Sequence, residues 1–146
     1  MTVQRPVPAV RLIVTDHGGR VLLLRRAGSR HGLGGWCLPG GKVDYGDTVE
    51  TAAAKELREE TGLRIEAVKF LFYQDSLPLE PGGMHCINFY FECRATGVLQ
   101  LNAESSEAEW IGVEDLERYE VVFRNDEGLR RYWSGFDRDP PSATQG

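Results

Sequence analysis

The pattern of apolar and polar positions along the chain predicts several strands and two helices. The clearest strand signal covers residues 85–94, where one face would carry Ile87, Phe89, Phe91 and Cys93. Further strands are predicted at residues 9–15, 21–24, 36–38, 68–74 and 109–112. Helix formers at residues 48–61 predict a central helix closed by Gly62, and residues 126–133 predict a last helix after a helical turn near Asp115. This order predicts an α/β or α+β fold with a mixed sheet between helices.

Length and composition narrow the class of protein. The 146 residues suit one domain, which we expect to span residues 1–137, with residues 138–146 as a flexible tail that contains Pro140 and Pro141. Hydrophobic residues make up 41% and charged residues 27%, as in folded soluble proteins. No apolar run approaches the roughly 20 residues of a membrane span, and no signal peptide is recognisable.

Charge and cysteine content restrict the partners and the compartment. The net charge of −5 argues against a nucleic acid polymer or an anionic membrane as a partner. The three cysteines form no C-x-x-C pair, which favours free thiols in a reducing compartment over disulfides or a zinc site. We therefore expect a cytoplasmic protein.

The central helix carries an unusual acidic face. At 100° per residue, Glu56, Glu59 and Glu60 fall on the same side as the apolar stripe of Val49, Ala52, Ala53 and Leu57. Like charges three or four residues apart destabilise a helix, and they cost more when turned toward the protein. A divalent cation such as Mg²⁺ or Mn²⁺ would compensate them. The alternative is that the three glutamates form a solvated edge, as most charge runs do.

The residues around this helix resemble the Nudix box of the Nudix hydrolases, G-x5-E-x7-R-E-U-x-E-E-x-G-U, where U is a bulky aliphatic residue. The match begins at Gly41, ends at Leu63 and keeps every spacing over 23 positions. Two positions depart from the pattern, because Asp47 replaces the usual Glu and Lys55 the usual Arg. Their charges remain complementary, so a weaker brace of the helix is expected, although lysine lacks the arginine fork. The main role expected for Asp47 is to cap the helix, with Glu50 completing a capping box.

The resemblance implies a fold, a reaction and a site. It implies a loop–helix–loop within an α/β/α sandwich, and Mg²⁺-assisted hydrolysis, with Mn²⁺ as a substitute, of a nucleoside diphosphate linked to another group. The metal and catalytic site would comprise Glu56, Glu59, Glu60 and Glu104, with the Gly40 carbonyl as a further metal ligand. Bound cations reverse the local charge, so an acidic protein can hold a polyanionic nucleotide. We expect a monomer or a homodimer.

Residues outside the box resemble the MutT-type nucleoside triphosphate pyrophosphohydrolases. The segment from Arg25 to Lys42 aligns with them without a gap, which implies a phosphate contact for Arg26 and a place near the nucleotide for His31. Glu104 lies six residues before Trp110 and Asn125 fifteen after it, the offsets of a metal-site carboxylate and a purine-reading asparagine in that group. The alternatives are an exposed loop charge for Arg26, a surface histidine for His31, a solvated loop acid for Glu104 with Glu107 as its competitor, and a helix N-cap for Asn125.

Three functions remain open at this point. The first is hydrolysis of a (d)NTP, including an oxidised purine triphosphate, to (d)NMP and pyrophosphate. The second is hydrolysis of ADP-ribose or a nucleotide sugar. Pro78 lies fifteen residues beyond Leu63, a spacing that resembles the ADP-ribose pyrophosphatases of the same superfamily. The third is a nucleotide-binding module without catalysis. The complete set of three glutamates favours an enzyme, because a sensor has no need of it.

Overall fold

The computed structural model describes residues 4–28 and 33–135. In these two ranges, seven strands, two α-helices and a 3₁₀ helix follow one another. The strands are β1 (Val7–Val14), β2 (Val21–Arg26), β3 (Trp36–Cys37), β4 (Gly40–Lys42), β5 (Arg64–Ser76), β6 (Cys86–Thr96) and β7 (Ser105–Ile111). The helices are α1 (Val49–Thr61), the 3₁₀ helix (Val113–Arg118) and α2 (Asn125–Trp133).

The strands form two sheets. A four-stranded sheet has the order β4-β1-β6-β5, and a three-stranded sheet has the order β3-β2-β7. β1 pairs in parallel with β6 and antiparallel with β4, so the larger sheet is mixed. Both neighbours satisfy the backbone of β1, which explains why this strand can be almost entirely apolar.

The sheets lie between the two α-helices because successive strand residues point to opposite faces. On one face Val10, Leu12 and Val14 pack in a cluster with Ala53 and Leu57 of α1. On the other face Ile13 belongs to a second cluster, which contains Leu129 of α2. The expected α/β/α sandwich with a mixed sheet is confirmed.

Several predicted strand boundaries were wrong, each at a place where pairing with a neighbouring strand determines where the strand begins or ends. β4 begins at Gly40, beyond the strand predicted at residues 36–38, because its backbone pairs with β1. β7 begins at Ser105 rather than residue 109, because its polar first half pairs with β2. β5 extends well beyond the predicted residues 68–74 because it pairs with β6 along its length. Polar residues therefore enter strands when a neighbouring strand binds their backbone.

Three further predictions concern the membrane, the thiols and the tail. In the part of the chain that the structure describes, no helix is long and apolar enough to cross a bilayer. Cys37, Cys86 and Cys93 are buried and free. The predicted tail, residues 138–146, lies outside the described residues.

Candidate active site

Helix α1 is fixed at both ends by local hydrogen bonds. Thr48 is its N-cap, and the Thr48 side chain accepts a bond from the Thr51 backbone N–H at 3.0 Å. The expectation that Asp47 caps the helix was therefore wrong, because the threonine hydroxyl one residue later takes that role. At the other end Gly62 adopts a left-handed conformation (φ 73°) and its N–H bonds to the Arg58 carbonyl. The register of the glutamates on α1 is thus set by these two ends.

Two of the glutamates lie against the glycine loop that precedes the helix. The Gly40 N–H donates to Glu60 Oε1 at 3.2 Å. A Cβ on Gly41 would lie 2.5 Å from Glu56 Oε1, and a Cβ on Gly40 would collide with the Val10 carbonyl oxygen. The pair of glycines therefore allows the backbone to approach both the carboxylates and β1. Glu56 and Glu60 are half-buried, as a face turned toward the protein predicts.

Burial changes the ionisation of these two carboxyls. Desolvation raises the pKa of Glu60 to about 8; Glu56 and Glu104 add to the rise, and the Gly40 N–H opposes it. Desolvation also raises the pKa of Glu56, and the negative charges of Glu59, Asp44 and Glu104 add to that rise. Glu56 and Glu60 are close enough for each to affect the pKa of the other. The site therefore favours positive charge.

Glu59 and Glu104 complete the acidic surface and are joined through Asn102. Both glutamates are exposed. Asn102 Nδ2 donates to the Glu59 carbonyl at 3.0 Å, and Asn102 Oδ1 accepts from the Glu104 N–H at 2.9 Å. The Glu104 carbonyl in turn accepts from the Ala27 N–H at 2.8 Å. Asn102 thus ties the loop that carries Glu104 to α1, a role that no motif in the sequence indicated.

The chemistry of these donors fits a divalent cation. Within residues 4–28 and 33–135, no three acidic, His or Cys side chains already converge at ligand distances. Carboxylate oxygens are nevertheless the ligands that Mg²⁺ and Mn²⁺ prefer, and a cation could balance the negative charge that burial disfavours on Glu56 and Glu60. The donors that would hold the cation are the carboxylates of Glu56, Glu59, Glu60 and Glu104, with the carbonyl of Gly40.

Arg26 is the last residue of strand β2. Its guanidinium carbon lies 5.0 Å from the centroid of the Phe123 ring, and the guanidinium of Arg11 lies 5.7 Å from the same centroid. Burial raises the pKa of the Cys37 thiol; the charge of Glu60 adds to the rise, and the charge of Arg26 opposes it. Phe123 and Arg11 were not singled out from the sequence. His31 lies outside the described residues.

Asn125 is completely buried and its amide is fully engaged by protein atoms. Its Oδ1 accepts from the Leu38 N–H at 2.9 Å, and its Nδ2 donates to the Phe123 carbonyl at 3.2 Å and lies 3.4 Å from the Tyr90 hydroxyl. The N-cap of α2 is Arg124, in a left-handed conformation, so the interpretation of Asn125 as a cap was wrong. Asn125 instead connects the start of α2 to the segment that leads into Gly40.

Comparisons with known proteins agree with this architecture. A Caenorhabditis elegans protein named as a nudix hydrolase is 32% identical over 127 residues, which cover 84% of this chain and 33% of that protein. An ADP-ribose pyrophosphatase of Methanocaldococcus jannaschii is 30% identical over 128 residues, which cover 87% of this chain and 73% of that protein. This chain therefore spans about a third of the nematode protein and about three quarters of the archaeal one.

A solved structure and a family profile extend the likeness to most of the chain. The crystal structure of a MutT NUDIX hydrolase from Burkholderia pseudomallei matches with a TM-score of 0.78 at 25% identity, covering 87% of this chain and 98% of that one. The profile of the NUDIX domain matches residues 5–132, a range that contains α1 and all of its glutamates. The chain therefore belongs to the Nudix hydrolase family.

Proposed function

We propose that this chain hydrolyses a nucleoside triphosphate to the nucleoside monophosphate and pyrophosphate, with Mg²⁺, or Mn²⁺ in its place, as the cofactor. The observation that carries the proposal is the packing of the half-buried Glu56 and Glu60 against Gly40 and Gly41. This arrangement concentrates negative charge that only a cation or a proton relieves. The bound ion would neutralise phosphate oxygens and polarise the phosphorus.

The other roles in the proposed reaction fall to residues of the chain. Water adds to a phosphorus, the bond to the bridging oxygen breaks, and pyrophosphate leaves with that oxygen. A carboxylate of the Glu56–Glu60 pair that is not fully committed to the cation would accept the proton of the water. Glu59 and Glu104 add negative charge for the cation, and Arg26 binds a phosphate. The amide of Asn125 is already engaged by protein atoms. Asn125 would therefore favour a purine, including an oxidised one, indirectly, by fixing the positions of Leu38 and Phe123.

A second candidate is hydrolysis of ADP-ribose or a nucleotide sugar. It is favoured by the archaeal relative, whose name is ADP-ribose pyrophosphatase and which aligns with 87% of this chain. The two reactions attack the same type of bond and need the same carboxylates. They differ in what lies beyond the second phosphate, so the products separate them.

A panel of substrates with Mg²⁺ tests both candidates. The four nucleoside triphosphates, their deoxy forms, an 8-oxopurine triphosphate and ADP-ribose would be incubated with the protein and with Glu60→Gln as a matched control. Release of pyrophosphate and monophosphate supports the first candidate, and release of AMP and ribose phosphate supports the second. Equal product with the wild type and Glu60→Gln, or binding without product, would contradict hydrolysis at this site.

Three further proposals concern the partner, the assembly and the compartment of the protein. We propose a small nucleotide as its partner, a monomer or homodimer as its assembly, and the cytoplasm as its compartment. Three free, buried cysteines support a reducing compartment.

A further inference from the structure

Arg11 is a charged residue in the middle of the central strand β1. Its neighbours Val10 and Leu12 are fully buried, and Arg11 itself is half-buried. Arg11 Nε donates to Asn88 Oδ1 at 3.2 Å. Within the described ranges Arg11 forms no ion pair with a carboxylate, although the chain as a whole has more acidic than basic residues. A cation that is partly removed from water costs free energy unless an anion accompanies it.

A second arginine converges on the same place. The guanidinium groups of Arg11 and Arg26 lie 5.7 Å and 5.0 Å from the centroid of one ring, that of Phe123. Each gains from the negative face of the ring, but two positive charges that share one ring repel each other. An anion that reaches both guanidinium groups would turn that repulsion into attraction.

The ring that gathers the arginines is held in an unfavourable backbone conformation. Phe123 has φ 60° and Arg124 has φ 58°, two consecutive left-handed residues that are not glycine. Such conformations persist only where surrounding contacts fix them, and they occur often at ligand sites. Here Asn125 Nδ2 bonds to the Phe123 carbonyl, and Gln74 Nε2 bonds to the Arg124 carbonyl at 3.1 Å. The position of the ring is therefore fixed from outside the turn.

The same network also fixes Arg11. Gln74 Oε1 accepts from Asn88 Nδ2 at 3.2 Å, and Asn88 in turn accepts from Arg11. One side chain, Gln74, thus couples the strand that carries Arg11 to the turn that carries Phe123. The arginine and the ring are preorganised together, which lowers the ordering cost when a ligand binds.

The two arginines lie next to the acidic site. Arg11 is paired with Gly40 across β1 and β4, and the N–H of Gly40 donates to Glu60. The Cys37 thiol is close enough to both groups that Arg26 and Arg11 lower its pKa while Glu60 and burial raise it. One bound nucleotide could therefore reach both the glutamates and the arginines.

We infer that Arg11 and Arg26 form a two-arginine subsite for a phosphate group of the nucleotide, with the Phe123 ring as the support of both. This inference rests on the proposed function and adds Arg11 and Phe123 to it. The planar guanidinium of arginine matches two phosphate oxygens at once, which an ammonium cannot do. Arg11 is thus a specificity-determining residue that reads phosphate rather than base.

The test compares Arg11→Gln and Arg11→Lys with the wild type. Arg64→Gln, at an exposed arginine of β5, serves as the matched control for loss of one positive charge. Dissociation constants would be measured by calorimetry in EDTA for the triphosphates of all four bases and for ADP-ribose. We expect Arg11→Gln to weaken binding about tenfold, by a similar factor for every base, and Arg11→Lys to lose less. Raising the salt concentration should reduce the difference from wild type.

The outcomes separate this inference from the proposed function. A loss confined to one base would mean that Arg11 reads the base, and a loss no larger than that of Arg64→Gln would mean that Arg11 is structural; either result overturns the subsite. If the wild type cleaves only ADP-ribose, the proposed triphosphate reaction fails, and the effect on ADP-ribose binding still decides the role of Arg11. If Arg11→Gln does not fold, Arg11→Lys gives the decisive comparison, since binding equal to wild type would contradict the fork geometry.

Discussion

Lys55 Nζ lies 2.7 Å from Asp47 Oδ2, so the middle of α1 is paired with the loop that precedes the helix. Asp44 Oδ2, at 3.2 Å, is a second partner of the same ammonium. The hydrogen bonds from Lys55 to Asp47 and Asp44 raise the pKa of the lysine, which therefore stays charged. The pairing expected from the complementary charges at these two box positions is confirmed, and its function as a brace is a prediction.

Reversing one charge of this pair should reduce both stability and activity. Lys55→Glu would place three acidic groups together, so we expect a lower melting temperature and a lower kcat. Asp47→Lys in the same chain should recover part of the loss, and only part, because Asp44 would still face the new glutamate. The double-mutant cycle, measured by thermal unfolding and by turnover, isolates the coupling between the two positions. Strictly additive effects would show that the pair is not coupled and would remove the brace.

The buried carboxyls should make the metal-free protein less stable as the pH rises. The pKa of Glu60 is raised from 4.5 to about 8 in the folded state, so its contribution to stability is complete below about pH 4.5 and is lost as the pH approaches 8. We expect the melting temperature in EDTA to fall across this window. Glu60→Gln, which carries no charge, should fall less and should be the more stable protein at pH 8.

Mg²⁺ should reverse this loss. Since the ionised carboxylates are the form that binds a cation, added Mg²⁺ should raise the melting temperature of the wild type more at pH 8 than at pH 5, with a smaller effect on Glu60→Gln. A Mg²⁺ effect of equal size in the two proteins would place the ion elsewhere.

In turnover, Glu60→Gln should lower kcat by about 10²- to 10⁴-fold at saturating Mg²⁺ while the circular dichroism spectrum is unchanged. A near wild-type rate would exclude Glu60 from the reaction.

Asn102 should act on the cation through Glu104. Asn102→Ala removes both the bond to the Glu59 carbonyl and the bond from the Glu104 N–H, so the loop should lose its connection to α1. We expect the Mg²⁺ concentration for half-maximal rate to rise by about 10- to 100-fold, as is typical when a residue that orients a metal ligand is removed. Titration of Mn²⁺ by electron paramagnetic resonance measures the same change without turnover.

Asn102→Asp is the matched control for that prediction. The aspartate keeps an acceptor for the Glu104 N–H and loses the donor to the Glu59 carbonyl, so it should give an intermediate value. If Asn102→Ala weakened nucleotide binding in EDTA without changing Mn²⁺ affinity, the residue would serve the nucleotide and not the cation.

Asn125 should affect both stability and base preference. In Asn125→Ala the Leu38 N–H loses its buried acceptor, which should cost about 1–3 kcal/mol of unfolding free energy. The Phe123 turn would also lose a contact, so we expect the preference among bases to shrink more than the rate on the poorest base. Thermal unfolding and kcat/KM for each base measure the two effects. A lower melting temperature with unchanged preference would leave Asn125 a purely structural residue.

Local sequence predicted those parts of the site that depend on spacing along one element. The positions of Glu56, Glu59 and Glu60 on one face of α1 follow from helical periodicity, and the need for Gly41 follows from the box. Gly62 ended the helix as expected because a left-handed C-terminal residue is a local requirement. The prediction of the N-cap was wrong because Asp47 and Thr48 are both good capping residues, and the Asp47 side chain instead accepts a hydrogen bond from Lys55, eight residues later.

Contacts between distant elements were decided only by the tertiary structure. Nothing near Asn102 in the chain indicates that its amide joins the Glu59 carbonyl to the Glu104 N–H, because the partners are set by how the loop after β6 packs on α1. Arg11 is the one charged residue in the otherwise apolar strand β1, and it approaches the Phe123 ring together with Arg26 because β1, β2 and the turn before α2 lie next to one another. Periodicity fixes which side of its own element a residue faces, but only packing fixes what it meets there.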